Sequence, residues 1–269
     1  MKIMRTIFSL VLLCTSGLVT TSNAATCTIP ATPDQFDNHY TPLWGCQQAF
    51  INDMWSRYDF DKGDWDSGFG YHDACNNAKP LKRTFNALQV LAYSVTPNPH
   101  CNSNVSNIGE WAYCWAGNQI DELDGRCGSG NASSGSRART QFGPIIDNWT
   151  RLYWPFFYGE SVVQRAGTIF HEARHAHGWC NHGGSCPRGS SCDKSWNDGC
   201  FGVGSGSGAG ANTYQVLWLN WFATTARSGW INSTIRANAV AEANSILSRA
   251  YQNDPCFRMN SSGFFISSC

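Results

Sequence analysis

Five consecutive residues carry the densest chemistry in the chain: His171, Glu172, Ala173, Arg174 and His175. The two histidines stand four apart, so on a helix both rings project from one face. Neutral imidazoles at that spacing can bind one Zn²⁺, and the intervening glutamate lies beside the metal. Such a metal lowers the pKa of a bound water towards neutrality and polarises a carbonyl. Glu172 then takes the water's proton and passes it to a leaving amine. The spacing predicts a helix from about Val162 to His177. Ser161 and Gln164 fit a capping box at its start, and Gly178 fits a C-terminal stop. The bland alternative is a chance match on an ordinary helix. The predicted helix, an export signal and the following glycine favour the chemical reading.

A third ligand has to come from further along. The first glutamate after His175 is Glu242, in a different predicted helix, so a nearby glutamate ligand is a poor fit. His177, His182, Asp193 and Asp198 remain. His177 is six residues from His171, which turns it off the shared face. The stretch His171 to Gly178 reads HEARHAHG and resembles the zinc helix of the zincin metallopeptidases. It is similar to the start of the metzincin pattern HExxHxxGxxH, whose glycine turns the chain so that a third histidine faces the metal. Asn181 holds that histidine's position, and His182 follows one residue later; an insertion in the Trp179-Cys180 turn would absorb the shift. Asp198-Gly199-Cys200-Phe201-Gly202 is similar to the DxxYG segment of the aspzincins, with Phe201 in place of the tyrosine. Met259 sits in no Met-turn context, a departure from the metzincins. The chain also looks like exported bacterial proteins with HEARH before a Cys-rich turn. These resemblances cover about residues 160–222. They imply a zincin-like fold, a zinc cofactor, a protein or peptide substrate and His182 as third ligand, with Asp198 the alternative.

Other residues weigh less. Arg174 is expected to hold a carboxylate. Tyr214, after the flexible Gly204–Gly210 run, is a candidate oxyanion stabiliser, though helical periodicity suits it better to a core or cap position. Asp59, Asp61, Asp64 and Asp66 invite a calcium-loop reading, but Gly70 stands where such a loop wants a bidentate glutamate, so a solvated turn is expected. Trp149 to Tyr158 is aromatic and β-prone. Pro155 makes it an expected edge strand, able to pair with an extended substrate or to serve as core.

The elements that must position these residues are mainly helical. Phe50, Ile51, Met54, Trp55 and Tyr58 mark a helix over 46–58. Pro80 opens another, with Leu81, Phe85, Leu88 and Ala92 on one stripe, ended at Thr96-Pro97. Residues 98–140 read as loop-rich, with a Gly/Ser stretch at 128–136 as a possible subdomain boundary. After the His helix, 179–211 reads as irregular. A helix over 213–227 follows, capped by Asn212 and Gln215, and a last one covers 234–251. The fold class is α+β, zincin-like, with a small sheet beside the active helix. That helix is expected to floor a cleft, with 25–160 above and 179–269 below.

The chain begins with a basic start (Lys2, Arg5), an apolar run to Val19 and small residues up to Ala24 and Ala25, which reads as a signal peptide over 1–24. Residues 25–269 are then one secreted or periplasmic domain. Without Cys14 the exported chain keeps twelve cysteines, an even number that reads as six disulfides, Cys256–Cys269 among the plausible pairs. A cysteine zinc cluster at 180, 186, 192 and 200 lacks the CxxC pairs that structural zinc sites favour. With 19 acids against 17 bases once Lys2 and Arg5 are removed, there is no electrostatic case for nucleic acid or an anionic membrane, and a monomer is expected. The rival function is a non-catalytic secreted binding protein that recognises carbohydrate through some of its 12 tryptophans.

Overall fold

The computed structural model describes residues 28–34, 46–94, 108–127, 136–141, 148–177, 181–184, 199–201, 210–226, 231–250, 258–259 and 265–266. Helix α1 (Gln48–Arg57) buries Phe50, Ile51 and Met54, as its periodicity predicts. A 3-10 turn follows at Lys62–Asp64, capped by Asp61, whose carboxylate accepts from Gly63 N–H. The acidic stretch is thus a capped turn, and two of its members, Asp64 and Asp66, take the Arg126 guanidinium.

Helix α2 (Pro80–Tyr93) has proline in its first turn and ends three residues before the predicted stop. One buried stripe was expected; instead every residue from Pro80 to Ala92 is buried. Several of the polar ones find partners inside. Arg83 donates to Phe157 O and Thr32 O, and Asn86 donates to Asp34. Such bonds offset the cost of burying these side chains; Gln89, buried with neither amide atom bonded among the described residues, is the exception. Asp34 also receives Arg165, so segment 28–34 is tied down by buried charge.

The loop-rich reading of 98–140 is corrected by three elements. These are helix α3 (Ile108–Gln119), strand β1 (Glu122–Gly125) and strand β2 (Ala138–Gln141). Strand β3 (Trp149–Leu152) pairs in parallel with β1 and antiparallel with β2, giving the order β1-β3-β2. The predicted edge strand at 149–158 is therefore corrected twice. Its first part is the central strand, and Trp154–Gly159 is a short helix, α4, with Pro155 in its opening turn. Among the described residues β1 and β2 are the outer strands, and β2 is the more exposed of the two. Proline is incompatible with the middle of a ladder but suited to a first helical turn, and the chain changes element just before it.

The His helix is α5 (Val162–Ala176), and its capping box forms as predicted. Gln164 N–H donates to Ser161 Oγ, and Ser161 N–H donates to the Gln164 side chain at 2.9 Å. Strands β4 (Asn181–Gly184) and β5 (Gly199–Phe201) pair antiparallel, within the segment expected to be irregular. Helix α6 (Ala211–Thr225) starts at Gly210 with no side-chain cap, which corrects the capping roles given to Asn212 and Gln215. Helix α7 (Ser233–Ala250) turns Ile235, Ala239, Ala243 and Ile246 inward as expected. Two short strands, β6 (Arg258–Met259) and β7 (Phe265–Ile266), form a separate ribbon.

The class is α+β, with α5 in the middle. It packs against α2, α3, α6, α7 and β2, and buried apolar side chains from Phe50 to Leu247 join one core. Gly167 lets α6 lie close, since a Cβ there would meet the Gln215 side chain at 3.3 Å. Cys46 and Cys75 are disulfide-bonded to each other, and Cys114 and Cys127 are each disulfide-bonded. Residues 1–27, Cys256, Cys269 and the 128–135 stretch lie outside the described residues. Among the described residues no helix is long and apolar enough to cross a membrane.

Candidate functional site

Within α5 every residue except Gln164 and His171 is buried. At about 100° per residue, Gln164, His171 and His175 fall on one stripe, the single line along which this central helix meets solvent. His175 is 9% exposed. The two rings face one another with Nε2 atoms 3.1 Å apart and centroids 4.8 Å apart. One donor atom from each of His171, Glu172 and His175 lies within 4.8 Å of the others. Three of the residues expected to act together, His171, Glu172 and His175, lie together.

Glu172 points to the β2 side of the stripe. Its Oε2 accepts from Thr140 Oγ1 at 2.6 Å, and Thr140 in turn meets Thr150 Oγ1 at 2.7 Å. Neither threonine is marked by the sequence, because what aligns them is a register between strands. Just before β2, Arg137 bonds two buried carboxylates, Glu160 at 2.9 Å and Glu242 at 2.7 Å. Gln164 donates to the other Glu242 oxygen at 2.7 Å. Glu242 is thereby part of a buried network with Arg137 and Gln164.

The opposite flank is aromatic. Phe170, Arg174 and His177 share a second stripe, facing α3 and α6. Phe170 lies 5.1 Å from the Trp115 ring and 5.9 Å from that of Trp111. Tyr214 stacks on Trp115 at 5.3 Å. Tyr214 therefore sits at the helix–helix contact, half-buried, beside the stripe that follows Phe170. Arg174 lies with its guanidinium 5.1 Å from the Tyr214 ring centre and donates to His177 O at 2.6 Å, closing the end of α5. This carbonyl and ring are partners of Arg174 that the sequence does not mark. His177 is exposed, bonded to Gln119 and packed on Trp115, off the face of the other two histidines as predicted.

His182 falls in β4, where the backbone alone is described. Asp193 and Asp198 lie outside the described residues.

No family model, curated protein or solved structure matches the chain. The chemical reading of the site therefore rests on its own residues.

Proposed function

We propose that the chain is a secreted zinc-dependent hydrolase of the zincin kind that cleaves peptide bonds. His171 and His175 are two metal ligands, His182 the third with Asp198 the alternative, and Glu172 the general base. The observation that carries this reading is the pair of Nε2 atoms 3.1 Å apart with the Glu172 carboxylate beside them, on the one open stripe of a buried helix. Two nitrogens on one tetrahedral zinc, each about 2.0–2.1 Å from it, stand about 3.3 Å apart, so the pair fits. The site also lies in the last turns of α5, where the helix dipole favours a cation.

A zinc ion bound there supplies Lewis-acid activation of a water and of a substrate carbonyl. The protein's own groups do the rest. His171 and His175 present two nitrogens from a rigid, capped helix. The Glu172 carboxylate accepts a proton from the attacking water and returns it to the departing amine. The aromatic flank and β2 wall the stripe on either side. Peptide as substrate follows from the likeness of HEARHAHG to the zincin helix.

Elemental analysis of protein purified without chelator should give about one zinc per chain. Glu172→Gln should keep that zinc and lose hydrolysis of fluorescently quenched casein by about a thousandfold or more. Less than a tenth of an equivalent of zinc, not restored by adding it, would sink the proposal. So would near-normal turnover by the variant.

A further inference from the structure

We infer that Thr140 is a positioning residue: its hydroxyl, backed by Thr150, fixes the Glu172 carboxylate against the two imidazoles. The inference rests on the reading of Glu172 as general base. It starts from proton counting. A hydroxyl has one hydrogen, and an ionised carboxylate can only accept. Thr140 Oγ1 stands 2.6 Å from Glu172 Oε2, 2.7 Å from Thr150 Oγ1 and 3.3 Å from Glu172 O. The short contact to the charged oxygen takes the Thr140 proton, because charge-assisted bonds are the strongest available. Thr140 must then accept from Thr150. The order is Thr150 to Thr140 to Glu172, running from the sheet to the helix.

The fold gives this chain little freedom. Thr140 and Thr150 are direct partners across the antiparallel β2–β3 pair. Thr150 is fully buried on the central strand, so bulk water does not compete for its hydroxyl. β2 is held beyond Thr140 by Arg137, pinned between Glu160 and Glu242. Glu172, 6% exposed, has a long side chain with several rotamers. A second attachment at Oε2 fixes the carboxylate plane where the helix alone fixes only the Cα. A base misplaced by about 1 Å can lose on the order of a hundredfold in rate.

The test is kinetic and, separately, thermodynamic in protein stripped of metal. Thr140→Val keeps the β-branched shape and removes the hydroxyl. It should lower kcat on quenched casein by roughly ten- to a hundredfold, with KM and zinc content within about twofold of wild type. Thr140→Ser, which restores the hydroxyl, should recover kcat to within about threefold. In metal-free protein Thr140→Val should lower the unfolding midpoint by about 3–10 °C, as expected for losing a hydrogen bond to a charged group. The same change in a Glu172→Ala background should lower it by much less. Equal shifts in both backgrounds, or a kcat loss that serine does not restore, overturn the positioning role. A wild type with neither zinc nor hydrolysis, but with the metal-free coupling intact, instead overturns the reading of Glu172 as base, and the positioning role with it.

Discussion

Two imidazole nitrogens held 3.1 Å apart need either a proton or a cation between them. In a helix whose other faces are occupied by α2, α3, α6 and β2, both readings leave the pair pointing into the one sector open to solvent. What distinguishes them is a third ligand. β4, which carries His182, pairs with β5, which begins at the residue after Asp198, so in sequence one candidate lies within a strand of the small ribbon and the other directly precedes its second strand. His182 has the shorter reach from His175, with Gly178 to reverse the chain and Gly183-Gly184 to release it. Under the proposed function, His182→Ala should weaken zinc affinity strongly, while Asp198→Ala leaves it nearly intact. Competition of each variant against a chelator of known affinity measures both. The reverse order would assign the third position to Asp198 and move the site's likeness towards the aspzincins.

The element that carries most of the site is α5, and the clamp on its neighbour β2 is the next most consequential. Arg137 reaches Glu160 and Glu242, whose side chains are 1% and 4% exposed, while its own remains 38% exposed. Arg137→Met removes the cation from the Glu242 carboxylate, and from Glu160 once it ionises near pH 8, and removes the donor that both buried side chains share. Discounted for the solvent around the guanidinium, the loss should be about 1–3 kcal/mol, read from urea unfolding. An unchanged midpoint would show that water replaces the arginine at no cost. The sequence disclosed α5 unaided, because its caps, its apolar spacing and its chemistry are all local to sixteen residues. It disclosed α2 only as a stripe. The buried Arg83 and Asn86 read as a solvent face until partners such as Asp34 and Phe157 O are brought to them. α3 was hidden by the reading of 98–140 as loop, and β2 by its polar sequence, Ala-Arg-Thr-Gln, which becomes a strand only on meeting β3. Thr140 and Thr150 were invisible for the same reason: their meeting is a matter of register, and register is a property of two segments.

At the scale of the molecule, the cost of building a core around so many charged groups should appear as pH dependence. Burial pushes the Glu160 carboxyl up to about 8 from an ordinary 4.5, and the opposing pull of Arg137 does not cancel it. Glu122 is also pushed up to about 8, by burial and by Asp124 and Asp64 beside it. Between about pH 5 and 8 the folded protein therefore keeps protons that the unfolded chain has released, and stability must fall as pH rises through that window. Asp34 acts in the other direction. Burial alone would raise its carboxyl, but Arg165 and Arg83 hold it below its ordinary 3.8, so its contribution is present above that value and is lost as pH falls below it. The unfolding midpoint of chelator-treated protein should accordingly be highest near pH 4–5 and decline to about pH 8; chelator keeps proton-coupled metal binding out of the comparison. Glu160→Gln removes one titrating group and keeps an acceptor for Thr168, which bonds the carboxylate at 3.2 Å. Its profile should be flatter than that of wild type, retaining the share that belongs to Glu122, and the two proteins should differ most near pH 8. A wild-type midpoint that rises or stays level between pH 5 and 8 would mean that Glu160 is ionised in the fold throughout, with Arg137 outweighing its burial.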